Sequence, residues 1–234
     1  MPAIRLDHVA KIYLNRKKGV SATLEVDFTI KQGEFVFIIG GHGAGKTTLM
    51  EIISGELEPD RGAVYLDDVD MTSANRREKA LLRGYMGVVS QDYELKKTET
   101  VFKNLASESR LEYLKDRFFY RDVFDKALAL VGMPGCGDQY PSALTVSECR
   151  RVELARAIVH SPSILVLDGI TERADDETVW DLLHLLSELN SRGTTVIIST
   201  CDNPFVSIMN KRVIALSEGK VASDVRRGKY GYFG

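Results

Sequence analysis

One stretch limits the architecture of this chain more than any other. Phe35-Val36-Phe37-Ile38-Ile39 is an unbroken apolar run, and it leads straight into Gly40-Gly41-His42-Gly43-Ala44-Gly45-Lys46-Thr47. A short continuous apolar run bounded by turn residues reads as a strand buried on both faces. The octapeptide fits G-x-x-x-x-G-K-[ST], and Lys46 to Ile53 reads as the helix that follows. The spacing has a physical purpose. Glycines let successive backbone N–H groups turn toward one anion, and the helix presents its positive end to it. Lys46 can reach β- and γ-phosphates, and the Thr47 hydroxyl can ligate Mg²⁺. The nucleotide-binding set is therefore Gly40, Gly41, His42, Gly43, Ala44, Gly45, Lys46, Thr47 and Thr48. Within it, His42 reads as a solvent-facing loop residue rather than a catalytic one.

The rest of the chain supplies a sheet around that unit. Ile4-Leu6 with Val9, and Leu24-Val26-Phe28-Ile30, alternate as half-buried antiparallel strands. Further strands are expected at Ala63 to Leu66, Met86 to Val89, Ile164 to Leu167, Thr194 to Ser199, Val213 to Leu216 and Lys220 to Ala222. Helices are expected over Ser147 to Val159 and Asp176 to Asn190, the latter with Leu182, Leu185, Leu186 and Leu189 on one face. Residues from about Thr98 to Val131 read as mainly helical, and Gly132 to Pro141 as a linker out of that lobe. Apolar strands alternating with helices specify an α/β fold: a mostly parallel, covered core sheet, an antiparallel β subdomain and a helical lobe. The expected organisation is a single domain over 1–234. Its core and β subdomain fall at about 1–97 and 142–234, and its helical lobe at about 98–141.

Composition removes several function classes. The chain has 234 residues and a formal net charge of −2, so no overall field favours nucleic acid or an acidic membrane. Arg16-Lys17-Lys18, Arg76-Arg77 and Arg226-Arg227-Lys229 are too short to be more than solvated surface charge. No apolar run approaches the length needed to cross a bilayer, and Met1 to Asp7 lacks a secretion-signal pattern. The expected location is cytoplasmic, with any membrane role reached through a partner. Cys136, Cys149 and Cys201 lack CxxC spacing and read as isolated thiols.

The glycine loop alone does not choose among nucleotide enzymes, although no Asn-Lys-x-Asp guanine-reading segment is present. Three further features do choose. Ile164-Leu165-Val166-Leu167-Asp168 is an apolar strand ending in an acid placed to hold Mg²⁺ opposite Thr47. Gln91 follows the Met86 to Val89 strand. Leu144-Thr145-Val146-Ser147-Glu148-Cys149-Arg150-Arg151-Val152 opens a helix. Together these resemble the ATP-binding subunits of ABC transporters, whose signature helix usually opens L-S-G-G-E/Q-Q-x-R-V. The resemblance runs over essentially the whole chain. It is closest to the FtsE group, through Gly33-Glu34-Phe35-Val36-Phe37, Ala155-Arg156-Ala157-Ile158-Val159-His160-Ser161-Pro162, Lys211-Arg212-Val213-Ile214-Ala215-Leu216 and Arg227-Gly228-Lys229-Tyr230-Gly231-Tyr232. It implies ATP and Mg²⁺ as ligands, with Thr47, Gln91 and Asp168 at the metal and Tyr13 stacked on adenine. It also implies a homodimer or heterodimer and an integral membrane partner of the FtsX type. The chain would then sit on the inner face of the cell membrane. Asp92 to Thr100, with the helical lobe, would dock that partner.

The departures from the family fall on its catalytic positions. The glutamate that polarises the attacking water is replaced by Gly169, and the switch histidine by Cys201. The signature glycines become Val146 and Ser147, and Thr145-x-x-Glu148 reads as an ordinary capping box that brings a carboxylate to the helix start. Glu172, three residues beyond Gly169, reads as a solvated loop carboxylate, because a base must come within hydrogen-bond distance of the water. Asp175 matches the family's D-loop aspartate and reads as a dimer contact or helix cap. No residue is confidently catalytic. The reading that follows is an ATP-binding subunit with weak or absent hydrolysis, signalling to a membrane partner. The competing reading is a working ATPase in which another group orients the water. An ABC protein acting on nucleic acid would usually carry a long coiled coil or tandem domains, and this chain has neither.

Overall fold

The computed structural model describes residues 2–15, 19–91, 95–107, 117–172, 174–201 and 203–228. Arg16-Lys17-Lys18, the first three residues of the Asp92 to Thr100 segment, Lys229 and Tyr230 to Tyr232 lie outside the described residues.

In chain order the elements begin with β1 (Pro2–Asn15), β2 (Gly19–Lys31), β3 (Phe35–Ile39) and α1 (Lys46–Ile53). Then come β4 (Arg61–Leu66), β5 (Val69–Asp70), α2 (Arg76–Arg83) and β6 (Met86–Val89). Next are α3 (Val101–Ser107), α4 (Arg117–Leu130), α5 (Val146–Ile158) and β7 (Ile164–Asp168). The chain closes with α6 (Asp176–Ser191), β8 (Thr195–Thr200), α7 (Asn203–Met209), β9 (Arg212–Ser217) and β10 (Lys220–Val225).

The strands form one 10-stranded sheet in the order β5-β4-β1-β2-β10-β9-β3-β8-β7-β6. From β9 to β6 every pairing is parallel. The β1–β2, β1–β4, β4–β5 and β9–β10 pairings are antiparallel. The expected antiparallel region is thus the continuation of the same sheet, joined through the Lys220–Glu25 pairing of β10 and β2.

β3 lies between β8 and β9, and its alternate residues serve two different cores. Phe35, Phe37 and Ile39 pack with Leu165, Leu167, Val196 and the apolar faces of α5 and α6. Val36 and Ile38 pack with Val166, Ile197 and Leu49, Ile52 and Ile53 of α1. Val36, Phe37 and Ile38 have no exposed surface. Burying each such side chain stabilises the fold by about 1.5–3 kcal/mol. The glycine loop is therefore carried on a strand buried along its whole length. α3 and α4 pack on α5 and on each other.

Three features depart from the sequence reading. β1 is one long strand, broken at His8, whose φ of 47° lets the register shift between Leu6 and Val9. α2 has no buried residue, so apolar periodicity could not mark it. It is fixed by a capping box in which Asn75 Oδ1 accepts from Glu78 N at 3.0 Å and Glu78 Oε2 accepts from Asn75 N at 2.8 Å. α7 is only seven residues long and buries Phe205 and Val206. Among the described residues no helix is long and apolar enough to cross a membrane.

Candidate functional site

The glycine loop closes over the C-terminal edge of β3. Ala44 is buried and accepts a backbone bond from Gly219 N at 3.1 Å, so the β9–β10 turn buttresses the loop from behind. Gly45 caps α1 in the left-handed conformation, φ 99°, and no side chain bonds to the helix start. The first N–H groups of α1 thus remain presented to the loop's concavity, the geometry of an anion site. Lys46 Nζ donates to the carbonyls of Gly40 at 2.8 Å and Gly41 at 3.2 Å, which folds its ammonium back along the loop. His42 is exposed, as expected of it.

Four side chains named above come together around this loop. Thr47 Oγ1 donates to Gln91 Oε1 at 3.1 Å. Asp168, at the end of β7, is 5% exposed and accepts from the Ser199 hydroxyl of β8. Burial pushes the Asp168 carboxyl above the usual carboxylate range; the Ser199 and Thr47 hydroxyls oppose that shift, and the charge of Glu172 adds to it. A cleft lined by Thr47, Gln91 and Asp168 opens beside them. A hydroxyl, an amide oxygen and a desolvated carboxylate facing one cleft are hard oxygen donors, and they suit Mg²⁺. Tyr13, on β1, is 39% exposed and shares a 3.0 Å hydrogen bond with the Thr48 hydroxyl, which sets its ring over the start of α1.

The substituted positions are equally definite. Cys201 directly follows β8, with Sγ 3.8 Å from the Gly40 carbonyl, so a thiol stands at the loop's entrance. Among the thiols, Cys136 and Cys149 are raised above their ordinary range by burial. Gly169 follows Asp168 with φ 62°. Glu172 does not lie free in solvent, as its distance along the chain suggested. Its N–H bonds to the Gly169 carbonyl at 3.0 Å, closing a turn, and its Oε2 accepts from Gln91 Nε2 at 2.9 Å. Ile170, fully buried, and Thr171, bonded to the Thr200 hydroxyl at 2.8 Å, pin the middle of that turn. Sequence reasoning treated residues 169–172 as an open loop and so missed the contact. The signal available was Ile170, an apolar residue that needs a core.

α5 begins quite differently from α1. Thr145 Oγ1 accepts from Glu148 N at 3.2 Å, and Glu148 Oε2 accepts from Thr145 N at 2.7 Å, so the expected capping box is formed. Those bonds hold the Glu148 carboxyl below its ordinary range. Val146 is 59% exposed at the tip. Ser147 Oγ donates to Asp175 Oδ2 at 2.5 Å, while Asp175 caps α6 through Thr178 N at 2.8 Å. The Ser147 hydroxyl, then the Thr178 N–H, lower the Asp175 carboxyl to about 2. Arg151 ties the same helix to Asp181 of α6 at 2.7 Å and to the Val131 carbonyl at 3.1 Å.

Comparison with known proteins agrees with this geometry. A family model described as ABC transporter matches residues 24–172. The chain belongs to the ABC transporter family. Its relatives include the cell division ATP-binding protein FtsE of Bacillus subtilis, 35% identical over 230 residues, covering 98% of this chain and 99% of that protein. The dimeric structure of MJ0796, a bacterial ABC transporter cassette, superposes with a TM-score of 0.87 at 28% identity, over 96% of this chain and 99% of that one. The same cassette in a post-hydrolysis state bound to ADP and Pi gives a TM-score of 0.85 at 27% identity, over 96% of this chain and 99% of that one. This is therefore an FtsE-like ABC ATP-binding protein, with the cassette fold that the loop and the acid-terminated strand implied.

Proposed function

We propose that this FtsE-like ABC protein binds Mg·ATP at its glycine loop and signals to an integral membrane partner of the FtsX type, with slow hydrolysis. One observation carries the reading: the chain presents two helix starts of opposite character. That of α1 carries no side-chain cap and is flanked by Lys46, Thr47, Gln91 and Asp168. That of α5, which in the family faces a second chain's γ-phosphate, is closed by Thr145 and Glu148 and overhung by Val146.

The chemistry follows from these groups. Lys46 and the α1 N–H groups neutralise the phosphate oxygens. Thr47, Gln91 and Asp168 would hold Mg²⁺, which would supply positive charge to the phosphates. Tyr13 offers its exposed ring to the base. A neighbouring chain's α5 would bring Val146 and Ser147 where the family brings two glycines, so its N–H groups approach the γ-phosphate less closely and transition-state charge is met less well. The ATP-bound state is then long-lived, and its output is conformational. Lys96 and Lys97 are exposed and lie on a turn that Asn104, fully buried, pins through bonds to the Lys96 N–H and the Lys96, Glu99 and Thr100 carbonyls. Such a rigid charged turn beside α3 suits docking of a membrane subunit.

Lys46→Ala should weaken Mg·ATP binding by at least about a hundredfold, since the charge-assisted contacts disappear. Isothermal titration of parent and variant reads this directly. Equal affinities would remove the nucleotide-site reading.

A further inference from the structure

Gly169 removes a side chain from the place where the family keeps its water-polarising carboxylate, yet that place holds a carboxylate. A Cβ built on Gly169 would stand 3.3 Å from Glu172 Cδ, 3.4 Å from Glu172 Oε2 and 3.3 Å from Gln91 Cγ. In a glutamate, Cδ lies only about two bonds beyond Cβ. The Glu172 carboxylate therefore occupies the volume that a residue-169 side chain would enter, reached from the far end of a four-residue turn.

We infer that Glu172 is the catalytic carboxylate of this site, orienting and deprotonating the water that attacks the γ-phosphate. This deepens the ATP-binding reading above and rests on it. Three observations support it. The turn is over-determined, by the bond from Glu172 N to the Gly169 carbonyl, by buried Ile170 and by the Thr171–Thr200 bond, so the carboxylate is held in place. It connects to the metal-side donors through one residue: Gln91 donates to Glu172 Oε2 at 2.9 Å and accepts from Thr47 at 3.1 Å. Glu172 Oε1 has no partner among the described residues and is available to accept a proton. A glutamate at position 169 would be crowded by this arrangement, whereas glycine makes room for it.

The step balances with water as the only co-reactant. The water oxygen forms a bond to the γ-phosphorus as the bond from that phosphorus to the β,γ-bridging oxygen breaks. The bonding pair stays on the ADP oxygen. The proton lost by the water passes to Glu172 and from there to solvent. The carboxylate is reached from a turn, and Cys201 stands where the family has its switch histidine, so turnover is expected to be slow.

The test uses the purified full chain. Phosphate release at saturating Mg·ATP gives turnover, and Lys46→Ala serves as the blank. Calorimetry with a non-hydrolysable ATP analogue gives Kd, with Mg²⁺ and with EDTA. Glu172→Gln should lower turnover at least about tenfold, the low end of what a positioned acid or base contributes being about a hundredfold. Its Kd for the Mg²⁺ complex should stay within about threefold of the parent's, and its melting temperature should be unchanged. Should the glutamine variant fail to fold, Glu172→Asp withdraws the carboxylate by one methylene and should lose several-fold in turnover at unchanged Kd. Unchanged turnover in a folded variant overturns the inference. So does a parent no faster than the Lys46→Ala blank, a result that leaves the binding reading standing if calorimetry still detects the analogue. A Kd weakened only when Mg²⁺ is present makes Glu172 a metal ligand and also overturns it. No binding by the parent removes the ATP reading itself.

Discussion

The proximity of Glu172 to residue 169 can be tested by stability alone, with no nucleotide present. In Gly169→Glu three costs arise together. The backbone at 169 is left-handed, φ 62°, which costs an L-residue roughly 1–2 kcal/mol. The new Cβ meets Glu172 and Gln91 at 3.3 Å, so both must shift. A second carboxylate also enters beside the first. Two like charges about 4 Å apart repel by roughly 4 kcal/mol at an effective dielectric of 20, and because Glu172 is half-buried rather than fully buried, solvent screens part of that. The single change should therefore destabilise by about 2–5 kcal/mol. Adding Glu172→Ala removes the crowding against Glu172 and the repulsion but leaves the Gln91 contact and the backbone strain. The double variant should then be less destabilised than the sum of the two single variants by about 1–3 kcal/mol, the range seen for contacting residues. Urea denaturation of the four proteins closes the cycle. Additivity within about 0.5 kcal/mol would mean that the two positions do not share a pocket, and the account of Glu172 would fail with it.

Two further outcomes follow from the site. Reversing charge at Lys96 and Lys97 should reduce recovery of an FtsX-type membrane partner in a pull-down while leaving ATP affinity unchanged; undiminished recovery counts against that turn as the docking surface. Combining Gly169→Glu and Glu172→Ala with Cys201→His, Val146→Gly and Ser147→Gly should raise steady-state turnover well beyond any single change, because groups acting as a unit are non-additive, and single changes that each restore full turnover would refute the division of labour proposed here.

The parts of this site legible in the sequence are those whose chemistry is local. β3 and the glycine loop could be placed to the residue because an apolar run and a fixed glycine spacing each act over a few neighbours. The capping box at Thr145 and Glu148 was equally readable, since cap and partner are three residues apart. α2 was not, although Asn75-x-x-Glu78 offers the same kind of signal, because none of its side chains is buried and periodicity carried no information. Ser199 could not be foreseen either. Its bond to Asp168 depends on β7 and β8 being neighbours in register, a pairing between residues 31 apart. Glu172 shows the subtlest failure. The inference that a residue three positions along a loop is solvated holds for an extended chain, but here a turn folds it back onto its starting point.

The contrast between α1 and α5 also bears on what ATP binding accomplishes. A helix start carries about half a positive charge, spread over its unsatisfied N–H groups. At α1 no side chain among the described residues caps the helix start. At α5 the Glu148 carboxylate already accepts from Thr145 N, and Thr145 accepts from Glu148 N. This capping box takes up the N–H groups of Thr145 and Glu148, and the exposed Val146 side chain stands at the helix tip that a phosphate would approach. Ser147 adds a further link, since its hydroxyl bonds Asp175 and joins the start of α5 to the start of α6. On the function proposed above, an ATP-bound chain of this kind would close on a second copy weakly, and its signal would travel through movements internal to each copy. On the nucleotide side such a signal would start at Thr47 and Gln91, bonded at 3.1 Å, so that nucleotide pulling on one would act on the other without any need for a closed dimer.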